Sequence, residues 1–422
     1  MSDVEPPTPS LWGRIVGFGG LPLLSMVTPL LVMPLLARRV DPAGWASIGA
    51  GEALGALFGL VISYGWHSIG PARVPPLTTD AARATLYRES LVVRLTLAAA
   101  VLPVLGVVAW VTARDGWQVM TLLMALSTAT VPLSLSWFAV GSGRADHIAL
   151  YETFPRVGAA AVSAAVMVAT GWLYVYPILA TVVPLVGMTL FSIRLLHASP
   201  GPWPPLRSVG TLLRRDVVPA LNELAAGGYA ALPLPLVNQV AAADVSAAYA
   251  SADKLYRYGL FVPGALANIF QRWVIEAGPE HIGARLRRAL RYHALLGVLG
   301  QVILTAAGPL ASALLFGEAV VAAREICFVL GLAFAVNAVR TGITRLVLFP
   351  AGRVAVILRS TLLGGVSGSV LVAVLAVTVG PVGAAAGLFA SEVVMAGLLL
   401  TATREVLASH REGAGQPGRD RA

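Results

Sequence analysis

Residues 355–403 read AVILRSTLLGGVSGSVLVAVLAVTVGPVGAAAGLFASEVVMAGLLLTAT. Two apolar runs, about 355–378 and 382–403, flank the Gly380–Pro381 step, and Arg359 and Glu392 are the only charges in them. The apolar residues are continuous and do not alternate, which excludes barrel strands with one lipid face and one wet face. Each run is long enough for one helical crossing, which takes about 20 residues.

The same pattern extends outward over the whole chain. Ten more apolar segments precede these two, at about 15–37, 46–66, 91–112, 118–140, 149–170, 173–195, 217–239, 252–274, 290–315 and 321–348. Of the 422 residues, 57% are hydrophobic and 12% charged, where a soluble domain is nearer a quarter charged. Twelve crossings take roughly 240 residues, leaving short loops and no room for a sizeable aqueous domain. The expected fold is therefore all-α, a polytopic membrane protein of twelve transmembrane helices.

The halves repeat weakly. Pro22 and Pro34 answer Pro219 and Pro233, and Arg88 and Arg94 answer Arg285 and Arg291. Six helices per half give both halves the same orientation, related by an axis along the membrane normal. The expected organisation is a cytoplasmic tail over 1–14, a six-helix lobe over 15–198, a cytoplasmic linker over 199–216, a second six-helix lobe over 217–404 and a cytoplasmic tail over 405–422. The N-terminal MSDVEPPTPS lacks the basic start of a signal peptide and is expected to remain as a short tail.

The net charge of +9 comes from 30 basic and 21 acidic residues. On a soluble protein this would suggest nucleic acid; here it reads as orientation, and no nucleic-acid partner is expected. Arg73, Arg83, Arg88, Arg144, Arg207, Arg214, Arg215, Arg285, Arg287, Arg288 and Arg353 fall in alternate loops, whereas the opposite loops hold Arg38, Arg39 and Arg114. Cytoplasmic loops carry the excess of basic residues, so both termini are expected in the cytoplasm.

Charges at bilayer depth cost roughly 2.5–3.5 kcal/mol each on insertion scales and ask for a reason. The stretch DKLYRYGLF, 253–261, places Asp253 and Arg257 one helical turn apart, able to pair, with Lys254 beside them. It reads either as a cationic patch for an anionic headgroup or as an interfacial anchor. Glu52, beside the Gly51–Gly55–Gly59 ridge, reads as a partner for a base on another helix or as a titrating site. Glu392 is a proton or cation site, or a hydrogen-bonded structural acid. Asn337, Arg340, Thr341 and Thr344 share a helix face, a polar stripe descending toward the cytoplasm. Arg94, Arg156 and Arg359 read as topology markers. Prolines inside spans, such as Pro132, Pro233 and Pro235, are expected to kink their helices.

Scattered histidines, one cysteine (Cys327) and the absence of nucleotide or hydrolase motifs leave no catalytic constellation, no metal set and no cofactor motif. On the residues alone, a transporter, a channel and a membrane enzyme all remain open.

Several motifs carry a family resemblance. Thr28–Pro29, Pro34 to Arg38, Gly44–Trp45 and Tyr64–Gly65 stand in segments 1 and 2, and Pro132, Trp137, Gly141 and Arg156 in segments 4 and 5. After segment 7, Tyr249 precedes the acidic–lysine pair Asp253–Lys254. Over roughly 15–400 the chain resembles the Wzx-type polysaccharide flippases, in the superfamily of MATE exporters and the lipid II flippase (the MOP superfamily). Asp41 replaces the glycine usual in their first loop. The resemblance implies two six-helix lobes around a central cationic cavity. It also implies translocation of undecaprenyl-pyrophosphate-linked oligosaccharide units across the bacterial cytoplasmic membrane by alternating access. Lys254, Arg257 and Arg340 are the expected substrate-binding residues, with Asp253, Glu52 and Glu392 balancing charge or coupling. Expected partners are the lipid-linked oligosaccharide, membrane lipids and other polysaccharide-assembly membrane proteins. The alternatives are a MATE-like cation-coupled multidrug antiporter and a membrane glycan polymerase or acyltransferase.

Overall fold

The computed structural model describes residues 32–275 and 278–412. Most of the first expected segment, with Pro22 and Thr28–Pro29, and the tails over 1–14 and beyond 412 lie outside the described residues. Among those described, the chain is almost entirely helical and contains no strand. Among the described residues, nine helical stretches are long and apolar enough to cross a membrane: Pro42–Arg73, Asp80–Thr112, Gln118–Gly141, Ala145–Thr170, Val175–Ala198, His281–Phe316, Arg324–Leu348, Val354–Val379 and Pro381–Ala408. The chain is a polytopic membrane protein.

In chain order the main helices are α1 (Pro42–Ser63), α2 (Trp66–Arg73), α3 (Asp80–Thr112), α4 (Gln118–Ala129), α5 (Ser136–Gly141), α6 (Phe154–Thr170) and α7 (Val175–Ala198). They continue as α8 (Val209–Ala231), α9 (Pro233–Val240), α10 (Ala243–Gly259), α11 (Phe261–Ile275), α12 (Gly278–Phe316), α13 (Arg324–Gly342), α14 (Val354–Val379) and α15 (Pro381–Glu412). Expected segments 7 and 8 are built as interrupted pairs, α8–α9 and α10–α11. The first breaks before Pro233 and the second at Leu260. Proline has no amide proton and its ring clashes with the preceding turn, so a break at 232 follows from the sequence. Segment 4 likewise breaks into α4, a 3₁₀ turn Val131–Leu133 around Pro132, and α5. The two-residue joint between segments 5 and 6 is real, because Gly171 adopts φ +74° and ends α6. Helix α3 starts eleven residues before its apolar run, where Thr79 caps it by accepting from the Ala82 amide at 3.2 Å.

The element order recurs in the second half. The pair α1–α2 is matched by α10–α11, the long α3 by α12, α4 by α13, α6 by α14 and α7 by α15. The residues group into two compact units. One holds Leu54–Glu223 with the residues before Val40; the other holds Val40–Ala53 and Leu224–Ala422. These bounds differ from the lobes expected over 15–198 and 217–404. Helices α1 and α8 each contribute residues to both units.

The first unit is organised around aromatic rings. Trp66 and Trp137 lie 5.1 Å apart between centroids; Tyr87 stacks on Trp137, Phe138 meets Trp137 edge-on, and Phe191 packs edge-on against Tyr87 and Phe138. Offset and edge-to-face rings add to burial. The glycine ridge of α1 lets it approach α4 closely, because a Cβ at Gly55 would collide with the Ala125 carbonyl oxygen. Arg94, expected as a topology marker, is fully buried. Its Nη1 donates to the carbonyls of Pro132 at 2.7 Å and Ser134 at 2.9 Å. Those carbonyls belong to the helix break, where backbone acceptors have lost their usual donors. Arg94 is therefore a cap for the interrupted span.

The second unit has a core of Val274, Leu286, Ile343, Leu346, Val347 and Leu399. Helix α13 ends by widening into a π-helical turn, Ile343–Leu348, a form enriched at functional sites.

Candidate functional site

All six candidate residues fall in the second unit, where they are held on α1, α10, α13 and α15. They form three ion pairs. Lys254 Nζ on α10 bonds Glu52 Oε2 on α1. Arg257 Nε reaches Asp253 Oδ2 at 2.6 Å along α10, the pairing its one-turn spacing predicts. Arg340 Nε on α13 reaches Glu392 Oε2 on α15 at 2.7 Å.

The pairs differ in exposure, which decides what a ligand can reach. The side chains of Lys254, Asp253 and Glu392 are 7%, 3% and 1% exposed, whereas Glu52, Arg257 and Arg340 keep 26%, 34% and 18%. Each pair thus has one sealed partner and one accessible partner. In the first the accessible partner is the acid; in the other two it is the base.

Aromatic and amide groups complete the site. The Lys254 ammonium lies 5.2 Å from the Trp45 ring centroid, a cation–π contact. The Trp45 indole in turn donates to Ser251 Oγ at 2.9 Å, which fixes the ring. Arg257 Nη2 donates to the Ala230 carbonyl at 2.6 Å, one residue before the end of α8. Glu392 Oε1 accepts from Tyr229 at 2.6 Å, from Asn337 at 3.0 Å and from Arg340 Nη2 at 3.3 Å. A buried carboxylate needs such a full set of donors to be tolerated.

The expectation of a cationic patch is corrected by these pairs: three bases face three carboxylates, so the cluster carries no net charge. The descending path assigned to Arg340 is likewise redirected, because its guanidinium turns across to α15 and Glu392. The polar stripe of α13 otherwise stands, with Thr341 Oγ1 donating to Asn337 Oδ1 at 3.4 Å. Tyr229 and Trp45 are site residues that charge-based reading of the sequence did not single out. Tyr229 sits in the apolar run GGYAA, with no local signal of an acid that lies far along the chain. Glu223 belongs to the first unit, accepting from Ser63 Oγ at 2.6 Å and Ser68 Oγ at 3.1 Å.

The first unit carries a second charged group, which joins the last residue of α2 to α8 and α3. Arg73 and Arg215 both grip Asp216, at 2.5 and 3.2 Å, and Arg215 also reaches Glu89 at 3.0 Å. Burial opposes ionisation of Asp216, but the two guanidiniums outweigh it and hold the carboxyl below its ordinary range.

No family model matches the chain, and no curated protein matches it in sequence. Solved structures do match. The lipid II flippase MurJ, in its inward closed conformation, aligns over 94% of this chain and 89% of its own at 10% identity, with a TM-score of 0.62. The eukaryotic MATE transporter AtDTX14 aligns over 95% and 97% at 13% identity, TM-score 0.54. A MATE structure in complex with MaL6 gives 95%, 97%, 13% and 0.51. At such identities the likeness is one of fold: this chain has the polytopic helical architecture found in the lipid II flippase and the MATE transporters.

Proposed function

We propose that this chain is a flippase of the Wzx type. It moves undecaprenyl-pyrophosphate-linked oligosaccharide repeat units across the bacterial cytoplasmic membrane, with both termini in the cytoplasm and two six-helix lobes giving alternating access. The observation that carries the reading is the buried Lys254, held by Glu52 and Trp45 beside two further arginine–carboxylate pairs. This cluster lies in a fold shared with a lipid II flippase.

A pyrophosphate is an anion that arginine and lysine hold by charge-assisted hydrogen bonds. With no substrate bound, Glu52, Asp253 and Glu392 act as internal anions. They remove the cost of leaving a buried base unpaired, which is the larger part of the penalty for breaking such a pair. The arriving headgroup exchanges with them: it meets Arg257 and Arg340 at their accessible sides and competes with Glu52 for Lys254. Exchange of one anion for another keeps the net affinity modest, which lets the substrate leave on the far side. The polyprenyl tail stays in lipid while the sugar crosses.

Lys254→Ala and Arg257→Ala should each cut transport while the protein still inserts at normal level. The direct measurement is depletion of the protein followed by lipid extraction, with complete lipid-linked repeat units trapped on the cytoplasmic leaflet. Full transport by both variants removes these residues from the site.

A second reading, cation-coupled drug export, gains support from the equal numbers of acids and bases in the cluster. It predicts changed drug susceptibility on deletion with surface glycan intact. A purified, reconstituted protein that turns over a lipid-linked glycan chemically would instead point to a polymerase or acyltransferase.

A further inference from the structure

In the first unit, α3 and α7 are tied by the Tyr87 hydroxyl and Ser192 Oγ at 2.8 Å. Above that bond lies an open groove of about 410 Å³, lined mainly by Leu91, Leu95, Met188, Ile193, Leu196 and Trp203. The hydroxyls in its wall, Thr189 and Ser192, donate back to their own helix at 2.8 and 2.7 Å, so the groove offers hydrocarbon and little else. Its length along α7, from Met188 to His197, is about 14 Å. Half of a bilayer's hydrocarbon core is about 15 Å.

The end of the groove at the C-terminus of α7 is basic. Arg88 lies one turn before Leu91 on α3, behind the groove wall and not in it, and is 2% exposed. The segment after α7 folds over it: Nη2 donates to the Ser199 carbonyl, and a Cβ at Gly201 would lie 2.9 Å from Nη1. Arg88 forms no ion pair with any described residue; its neighbour Glu89 is taken by Arg215. A charge buried without a counter-ion is costly, and nearly all such charges are paired. Exposed His197 lines the same end, and half-exposed Trp203 flanks it, the ring type that settles at headgroup level.

We propose that this groove is a binding site for one anionic glycerophospholipid of the cytoplasmic leaflet. An acyl chain lies between α3 and α7, and the phosphate sits over His197 and the uncompensated charge of Arg88. A polyprenyl tail is several times longer than the groove, whereas one leaflet-deep acyl chain fills it. The bound lipid would staple the segment 199–203 onto α3. The site shares no residue with the ion-paired cluster of the second unit, so it stands or falls independently of the proposed substrate; only the choice of leaflet rests on the orientation proposed above.

The test is native mass spectrometry of the full chain, delipidated in detergent and offered phosphatidylglycerol and phosphatidylcholine in equal amounts. The wild type should retain one phosphatidylglycerol with a preference of about tenfold. Leu95→Trp, which fills the groove, should retain neither lipid. His197→Glu, on the surface, should lose the preference while still binding. Arg88→Gln should do the same, and if it does not fold the other two variants decide. Equal retention of both lipids by the wild type, or unchanged binding by Leu95→Trp, would overturn the proposal. So would retention of undecaprenyl phosphate in preference to phosphatidylglycerol when these two are offered together in a second run.

Discussion

Glu392 shows what a single side chain does in this molecule. It gathers Tyr229 from α8, Asn337 and Arg340 from α13, and holds them from α15 with both carboxylate oxygens. Removing one partner of a buried pair costs about 3–5 kcal/mol, because the other charge is left without compensation. Glu392→Ala should therefore lower the melting temperature in detergent far more than Arg340→Met combined with Glu392→Met, which removes both charges and keeps the volume. A double-mutant cycle on these two positions measures the coupling; additive losses would mean that the pair contributes nothing. Lys254 and Glu52 follow the same rule, with Trp45 softening the loss on the lysine side. Which of these contacts could be read beforehand depends on sequence distance. Asp253 and Arg257 are one turn apart, so their pairing was legible from spacing alone. Glu52 and Lys254 are 202 residues apart. The sequence marked both as charges in apolar surroundings, yet nothing local joins them, because the contact depends on where the first half of α1 packs.

At the scale of the helix, interruptions matter more than lengths. The broken spans α4–α5, α8–α9 and α10–α11 expose backbone carbonyls, and the chain answers with arginines: Arg94 at Pro132 and Ser134, Arg257 at Ala230. In lipid an unsatisfied carbonyl has no water to turn to. The proline positions announced two of these breaks. The arginine caps were not legible, since Arg94 lies near a helix end in sequence and looks like an orientation signal until the fold brings it beneath the break. Close helix contact is the other device. Gly55→Val should push α1 away from the Ala125 carbonyl and lower thermal stability sharply, because no side chain there is free to yield. Gly158→Ala on α6 has open space around the new methyl and should be neutral or stabilising by up to about 1 kcal/mol. A thermal-shift series on both variants checks the contrast; equal effects would deny the close contact its role.

For the whole molecule, hydropathy marked twelve apolar segments, nine of which stand among the described residues as helices long and apolar enough to cross a membrane, while the grouping of residues into units could not be read from it. Continuous apolar runs mark helices whatever they pack against, but Val40–Ala53 joins the second unit through tertiary contacts that no composition shift records. Orientation itself is open to a direct check. Cys327 is buried and packs as a small apolar side chain, so replacing it with alanine gives a thiol-free background at modest cost. In that background a membrane-impermeant maleimide applied to intact cells should label Asp115→Cys and spare Arg144→Cys, which should react only after the membrane is opened; the reverse pattern would invert the topology. The lone lysine also has a chemical corollary. Apart from the α-amino group, Lys254 is the one primary amine in the chain, and Trp45 and Glu52 shield it. Acylating reagents therefore have a single internal target, and peptide mapping separates it from the terminus. The rate at which it is modified is a clock for how often the guarded pocket opens, readable without adding any label to the protein.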